Sequence, residues 1–477
     1  MRTRTHPSFA MLVVLLSACG GGGGGGGSSP GDDVAPTATL TAPAALADGL
    51  TGTLTLAATA SDDVGVAEVE FQVDGLPAGR DATAPYGATV ATSAFAAGQH
   101  VVRARARDAA GNVSAWSAAT VRFGGSQTQP AGFVRDTGWI TGLASATAFA
   151  QAPDGRWFVA QQGGALRVVK DGVLLATPFI TLTVDATGER GLIGVALHPN
   201  FASNRWIYLH YTTPEGGAHG RISRFTANAS NPDVVSVGSE LRIADLPALS
   251  SATNHNGGAL HFGADGKLYV GVGDNNNGAL AQSLASPLGK LLRFDDDGGI
   301  PADNPFCTTA GNLACAVWAY GLRNPYTFAV QPGSGRIHVN DVGAALWEEI
   351  DLGARGANYG WPGSEGPDGV ASGITGPLFA YGHADASPPG SGPGGFFTGF
   401  AIAGGAFYPA GGGFPAGYEG SYFFADFVSR FVARLDAGGN ASAFATLALN
   451  PVDLRVGLDG ALYALTRSSI TRIAYAP

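Results

Sequence analysis

The feature that most constrains the fold is a hairpin pattern that recurs six times after residue 132. In several repeats an Asp-Gly turn precedes a strand of alternating apolar residues, which is a strong hairpin signal; the clearest copies are 153–159, 264–270 and 458–464. Each repeat ends in another alternating strand, expected in the outer part of a sheet, at 165–169, 220–225, 289–294, 348–352, 430–435 and 469–473. One unit cannot bury its own faces, so the pattern predicts an all-β chain with a six-bladed β-propeller over 132–477. An open pair of β-sandwiches explains the repeats less well.

Residues 37–123 carry a different pattern. Runs such as 66–73 and 100–106 alternate apolar and polar residues, and turn clusters such as 61–63 and 108–112 separate them. This spacing predicts a sandwich of about seven strands. The segments 61–65 and 106–112 resemble bacterial immunoglobulin-like domains, which implies a spacer; carbohydrate binding is the alternative.

The N-terminus has the layout of an export signal. Arg2 and Arg4 precede an apolar stretch, residues 9–16, that is too short to span a bilayer. The ending Leu16–Cys19 resembles the bacterial lipobox, which implies that Cys19 is lipidated; an ordinary cleaved signal is the alternative. We therefore expect a lipoprotein signal over 1–19, a Gly/Ser-rich tether over 20–36 and a second linker over 124–131. The implied location is periplasmic or on the cell surface, with the lipid as the only membrane contact.

Charge and cysteine content limit the partners. The net charge of -10 is spread along the chain without basic runs, which excludes a nucleic-acid footprint and favours small neutral ligands. Cys307 and Cys315 lie close together in an exported chain, which predicts a disulfide. A metal-binding pair is the alternative, but no histidine or further cysteine stands nearby.

Three motifs carry residues suited to chemistry. The glycine-rich stretch 254–260 contains His255, whose imidazole can approach a substrate and accept a proton near neutral pH, although a structural hydrogen bond is the competing role. The stretch 319–325 contains Arg323, a planar cation suited to an oxyanion or carboxylate. The stretch 341–350 combines Glu348 and Glu349 with a glycine-containing turn, an oxygen-rich set of the kind that calcium prefers, or else a solvated pair.

Together with 188–201 and 288–295, these motifs resemble the glucose/sorbosone dehydrogenase family, in the same order from about residue 137 to the end. The resemblance implies a propeller with pyrroloquinoline quinone (PQQ) on its top face and calcium beside it. It also implies oxidation of an aldose or related sugar, with hydride passing to the quinone; the electron acceptor that follows is not implied.

The resemblance further implies residue roles. His255 matches the general base, and Arg323 matches the residue that stabilises charge on the quinone oxygen. His198 is expected to be structural. The other positions implied near the cofactor are Glu189, Asn254, Asp274 and Asn324. The implied calcium ligands are the carbonyls of Gly343 and Ala344, the carboxylate of Glu349 with the carbonyl of Tyr359, and Glu348 as a further candidate.

Two departures from the family pattern concern the cofactor. Asn254 stands where well-studied members have an aspartate, and residues 450–454 lack the two arginines that grip the quinone carboxylates. Losing two such contacts costs several kcal/mol of affinity at roughly 1.5 to 3 kcal/mol each; Arg455 and Arg430 are the candidate substitutes. The competing functions are a non-catalytic binding propeller, like the hedgehog-interacting proteins, and a calcium-dependent lactonase.

Overall fold

The computed structural model describes residues 32–44, 50, 52–95, 98–123, 129–307, 312–367, 370–383 and 399–477. Cys19, tether residues 20–31 and linker residues 124–128 lie outside the described residues. Contacts divide the chain into two compact units. The second unit is dominated by Arg122–Pro477.

The first unit is a β-sandwich. Its described residues form seven strands: β1 (Thr37–Ala42), β2 (Thr53–Ser61), β3 (Val66–Val73), β4 (Leu76–Asp81), β5 (Tyr86–Ala91), β6 (Gly98–Asp108) and β7 (Ser117–Phe123). They make one sheet of order β1-β2-β5 and another of order β4-β3-β6-β7. Alternation explains the packing, because Val69 and Phe71 on β3 are fully buried while Glu70 between them bonds Arg105 on β6. The predicted sandwich is confirmed.

The second unit contains 25 strands in its described residues. They are β8 (Phe133–Thr141), β9 (Ala146–Gln151), β10 (Trp157–Gln161), β11 (Ala165–Lys170), β12 (Val173–Leu174), β13 (Ile180–Thr181), β14 (Leu192–Leu197), β15 (Trp206–Thr213), β16 (His219–Thr226), β17 (Leu241–Ala248), β18 (Leu260–Phe262), β19 (Leu268–Val272), β20 (Lys290–Phe294), β21 (Val317–Tyr320), β22 (Pro325–Val330), β23 (Ile337–Asp341), β24 (Trp347–Gly353), β25 (Phe379–Gly382), β26 (Ile402–Phe407), β27 (Tyr422–Asp426), β28 (Phe431–Leu435), β29 (Ala441–Thr446), β30 (Pro451–Val456), β31 (Leu462–Thr466) and β32 (Ser469–Tyr475). The helices are short: α1 (Phe201–Asn204), α2 (Gly278–Gln282) and 3-10 turns at Leu313–Ala316 and Ala416–Tyr418.

These strands form six antiparallel sheets within the described residues. Their orders are β9-β10-β11-β12 (with β13 also paired to β11), β14-β15-β16-β17, β18-β19-β20-β21, β22-β23-β24-β25, β26-β27-β28-β29 and β30-β31-β32-β8. All six repeat-ending segments of the sequence overlap the third strand of a sheet, and the three Asp-Gly hairpins supply second strands. The hairpin repeat therefore marks equivalent positions around the fold.

The six sheets close into a ring. Each first strand contacts the first strands of the two neighbouring sheets, and β30 of the last sheet contacts β9 of the first. Apolar clusters fill the spaces between sheets; the closing one packs Trp157 and Phe149 against Tyr463 and Val452. The last sheet joins both ends of the unit, because β8 pairs with β32. No helix among the described residues is both long enough and apolar enough to cross a bilayer.

The topology places several loops at one edge of this ring. In an antiparallel hairpin the start of the first strand and the end of the second lie at the same edge. The segments before β18 and β22 therefore share an edge with the β19–β20 and β23–β24 connections. At another point in the unit, Cys307 and Cys315 form the expected disulfide.

Candidate active site

His255 sits on a tight, strained loop at this edge. Its backbone adopts φ +54°, a left-handed conformation that is uncommon for a non-glycine residue. The loop packs so closely that a Cβ on Gly273 would collide with the His255 carbonyl oxygen. Strain of this kind persists only where the surroundings fix it, and it concentrates at functional sites.

The His255 ring is held by a buried carboxylate. His255 Nδ1 lies 2.8 Å from Asp274 Oδ1, and the two residues are 5% and 1% exposed. Asp274 Oδ1 also accepts the Asn276 N–H at 2.7 Å. Because an ionised carboxylate only accepts hydrogen bonds, this contact places the proton on Nδ1 and leaves Nε2 as the basic nitrogen. On the other side, the exposed Glu189 accepts the backbone N–H of His255 at 2.8 Å.

Arg323 and Asn324 lie against the same loop. The Arg323 carbonyl accepts the Asp274 N–H at 2.9 Å, and Asn324 Oδ1 accepts the Gly257 N–H at 2.9 Å. The Arg323 guanidinium donates through Nη1 to the Val342 carbonyl at 2.8 Å, while its Nε is buried without a partner among the described residues. The structure thus brings the base and the cation of the sequence prediction together.

A cluster of three carboxylates stands beside Arg323. Ligand oxygens of Asp341, Glu349 and Asp351 lie within 4.8 Å of one another. Asp341 and Glu349 are direct cross-strand partners on β23 and β24, and Asp351 follows Glu349 by two residues, on the same face of β24. Asp351 is fully buried, and neither of its oxygens has a partner among the described residues.

Burial makes this cluster costly to ionise. Desolvation raises the pKa of Asp341 to about 7. Desolvation, followed by repulsion from Asp341, raises the pKa of Glu349 to about 8. The pKa of Asp351 is also raised by burial and then by Glu349. Buried carboxylates of this kind are stabilised by a bound cation, and an all-oxygen set suits calcium.

The predicted ligands Gly343, Ala344 and Tyr359 belong to segments next to the carboxylate cluster. Gly343, Glu349 and Tyr359 line one small cavity together with Arg323. Ala344 begins a run of four residues, 344–347, whose backbone N–H groups all donate to Glu365 Oε1. This contact fixes the turn that follows Gly343.

Glu348 lies apart from the cluster, because neighbouring residues on β24 point to opposite faces. Its carboxylate contacts His383 Nε2 at 2.7 Å and accepts the Ile402 N–H at 2.8 Å. Glu348 is fully buried. It therefore joins the fourth sheet to the fifth.

Asn254 is uncharged, and the two substitute arginines are held by backbone carbonyls. Asn254 is half-buried beside His255. Arg455, on β30, donates to the carbonyls of Phe149 and Gly405 on the two neighbouring sheets. Arg430 is 5% exposed and donates to the Ala448 carbonyl at 2.9 Å.

A third arginine, in the last sheet, is linked by hydrogen bonds to the segment that contacts the His255 loop. Arg467, in the β31–β32 turn, is half-buried and donates to Gln162 Oε1 and the Ala146 carbonyl. Gln162 Nε2 in turn donates to the carbonyls of Gly188 and Arg190, the residues flanking Glu189. Arg467 and Glu189 both act electrostatically on Tyr326, at the start of β22.

His198 has the structural role expected from the sequence. Its Nδ1 accepts the Asn200 N–H at 2.9 Å and contacts the Asn204 side chain at 2.8 Å. It thereby holds the short helix α1 against β14.

A closed ring of six sheets, with a His–Asp pair, an arginine and a carboxylate cluster at one mouth, defines a β-propeller with a built polar site. The sequence profile of the glucose/sorbosone dehydrogenase family matches residues 143–474, and that of a bacterial Ig domain matches 36–104. The chain belongs to the glucose/sorbosone dehydrogenase family.

Individual relatives agree with this assignment. The chain is 37% identical to the aldose sugar dehydrogenase YliI of Escherichia coli over 219 residues, or 45% of this chain and 58% of that protein. The match therefore spans little more than half of that relative. The human hedgehog-interacting protein is 29% identical over 230 residues, 42% of this chain and 32% of its own length.

A solved structure resembles the second unit. It is the soluble aldose sugar dehydrogenase of Escherichia coli in the apo form, with a TM-score of 0.62 and 28% identity. The superposition covers 72% of this chain and 99% of that structure.

Proposed function

We propose that the protein is an exported sugar dehydrogenase that oxidises an aldose or related sugar, with PQQ as the electron acceptor and calcium as its metal. The observation that carries this proposal is the convergence of His255, Asp274, Arg323 and the carboxylate cluster at one mouth of the propeller. The proposed quinone-linked oxidation uses three functions together: a base, a cation for developing negative charge, and a site for a divalent ion.

The residues present fit both groups. The buried oxygens of Asp351, which have no partner in the described part of the chain, and the high proton affinity of Asp341 and Glu349 fit a divalent cation. These three residues, with Gly343 and Tyr359 in the adjoining cavity, would hold it. The buried Arg323 Nε, which has no partner among the described residues, fits an anionic oxygen of the quinone. Arg467, in the β31–β32 turn of the last sheet, is the candidate partner for a quinone carboxylate.

When bound, the quinone supplies a two-electron acceptor and calcium supplies a Lewis acid. His255 Nε2 accepts the proton of the sugar hydroxyl while the carbon gives up hydride. Asp274 keeps the ring oriented and stabilises the imidazolium that forms. Arg323 places fixed positive charge where negative charge develops. The strained loop holds the base in place before substrate arrives.

Export and lipid anchoring belong to the same proposal. Their support is the N-terminal sequence 1–19. Globomycin inhibition of signal processing should leave an unprocessed precursor if Cys19 is lipidated. A processed form with an unmodified N-terminus would contradict the anchor.

The proposal is tested with the purified chain, PQQ, calcium and a panel of aldoses, following dye reduction. We expect turnover that requires both added groups. The variant His255→Ala should lose at least a thousandfold in kcat while still binding PQQ. His219→Ala, on β16, is the matched control and should turn over normally. No turnover with any aldose, and no change in quinone absorbance, would overturn the proposal.

The match to the human hedgehog-interacting protein favours a second candidate, a non-catalytic binding propeller. In that case the carboxylate cluster would bind calcium as a structural ion. Calcium would then raise the melting temperature, while PQQ would neither bind nor stabilise the protein.

A further inference from the structure

Trp361 contacts the carboxylate that orients His255. Its indole Nε1–H donates to Asp274 Oδ2 at 2.8 Å, whereas the other oxygen, Oδ1, faces His255 Nδ1 at 2.8 Å. The two oxygens of one buried carboxylate are therefore held from opposite sides. Only the N–H end of the indole makes this bond, so the contact depends on tryptophan's single donor.

The segment around Trp361 is itself fixed. The Trp361 N–H donates to the Gly321 carbonyl at 2.9 Å, and the Trp361 carbonyl accepts Gln282 Nε2 at 2.7 Å. The face of the ring lies 5.5 Å from the Arg323 guanidinium carbon. The indole is thus held in a fixed position between the Arg323 guanidinium and the Asp274 carboxylate.

We propose that Trp361 is a positioning residue for the base: its indole N–H fixes the Asp274 carboxylate so that it holds His255 through Nδ1 and leaves Nε2 as the free nitrogen. This inference rests on the proposed function for the role of His255 as a base. It assigns to Trp361 no contact with the reacting atoms.

The hydrogen bond from Trp361 determines in which direction the proton affinity changes when the indole N–H is removed. A donor to a carboxylate favours its ionised form, so removing the donor makes Asp274 hold a proton more readily. A more basic Asp274 also stabilises the protonated form of its histidine partner. Both changes raise the pH at which His255 loses its free-base form on acidification.

Phenylalanine at position 361 keeps an aromatic ring beside Arg323 and leaves the other charged or titratable groups around the pair unsubstituted. They are Glu189, His210, Lys290, Arg323 and Asp341. A shift caused by Trp361→Phe therefore reports on the indole N–H.

The test compares pH profiles of kcat/KM for the protein loaded with PQQ and calcium. In Trp361→Phe the acidic limb should move upward by roughly half to one pH unit, since hydrogen bonds to charged groups are strong. The aldose KM should change less than twofold. Trp206→Phe, which alters an indole packed on Arg224, is the control and should overlay the parent profile. A uniform loss of activity at all pH values, without movement of the limb, would overturn the inference.

A second variant removes the N–H without changing the shape. Benzothienylalanine at position 361 keeps the fused ring but replaces N–H by sulfur, so folding is preserved. It should reproduce the shift seen with phenylalanine; a profile identical to that of the parent would overturn the inference.

An NMR titration separates this inference from the proposed function. The His255 Cε1–H signal, assigned by its loss in His255→Gln, is followed in the parent and in Trp361→Phe without substrate. We expect the midpoint to rise in the variant even if no aldose is ever oxidised. An unchanged midpoint would contradict the role of Trp361, whatever the outcome of the turnover assays.

Discussion

The side-chain oxygen of Asn324 accepts the backbone N–H of Gly257 at 2.9 Å, and so joins the arginine-bearing segment before β22 to the histidine loop. The Asn324 N–H and the Arg323 N–H both donate to Asp341, a member of the carboxylate cluster. Residues 323–324 therefore connect the His255 loop to the carboxylate cluster.

Asn324→Ala should loosen the histidine loop. It leaves the buried Gly257 N–H without its acceptor, which costs about 1–3 kcal/mol of unfolding free energy. We expect kcat to fall at least tenfold, because the loop no longer holds His255 in its position. Urea denaturation and steady-state kinetics measure the two effects. Asn440→Ala, in an exposed turn, is the control; equal effects at both positions would contradict this role.

Without metal, stability should fall as pH rises. Asp341 and Glu349 have folded-state pKa values of about 7 and 8, above their ordinary values, so the folded protein binds more protons than the unfolded chain between pH 4.5 and 7. Burial raises the pKa of Asp426 and of Asp453 to about 6, which acts in the same direction. In EDTA we expect Tm to drop by roughly 5 °C or more between pH 5 and 7. Calcium should reduce that drop, and a Tm that rises with pH in EDTA would contradict the prediction.

Asp351→Asn should separate stability from metal binding. The change keeps the shape but replaces a carboxyl whose buried, ionised form has no partner among the described residues, so the metal-free protein should be stabilised at pH 7 and above, by about 1–3 kcal/mol. The increase in Tm on adding calcium should shrink or vanish. The exposed Asp63→Asn is the control. Full calcium stabilisation in Asp351→Asn would place the ion elsewhere.

Arg467→Ala should weaken PQQ binding. One lost charge-assisted contact raises the Kd roughly tenfold to a hundredfold, as measured by calorimetric titration of the quinone into the calcium-loaded protein. Arg472→Ala, which removes an outward ion pair with Asp459, should leave the Kd unchanged. An unaltered Kd in Arg467→Ala would mean that the last sheet does not contact the quinone.

The ring and the base loop could be predicted from local sequence because each depends on a short pattern. Asp-Gly turns mark hairpins, and the repeat count gives the number of sheets. His255 stands out because glycines surround it. The bond from His255 to Asp274 joins the two ends of one hairpin, so it too depends on a short stretch of sequence.

Other parts of the site depend on pairing between strands. Asp341 and Asp351 were missed as possible metal ligands, although spacing by two puts Asp351 on the face of Glu349. The register that sets Asp341 opposite Glu349 is fixed only when β23 and β24 pair. The Trp361 contact joins residues 87 positions apart, and no local pattern indicates it.

The sheet that combines β8 with β32 has a consequence for synthesis. Its first-made strand ends at Thr141, and its partner is the last strand of the unit, Ser469–Tyr475. During vectorial production, β8 must wait for more than 300 residues before it can pair. The ring therefore cannot close until translation of the unit is nearly complete.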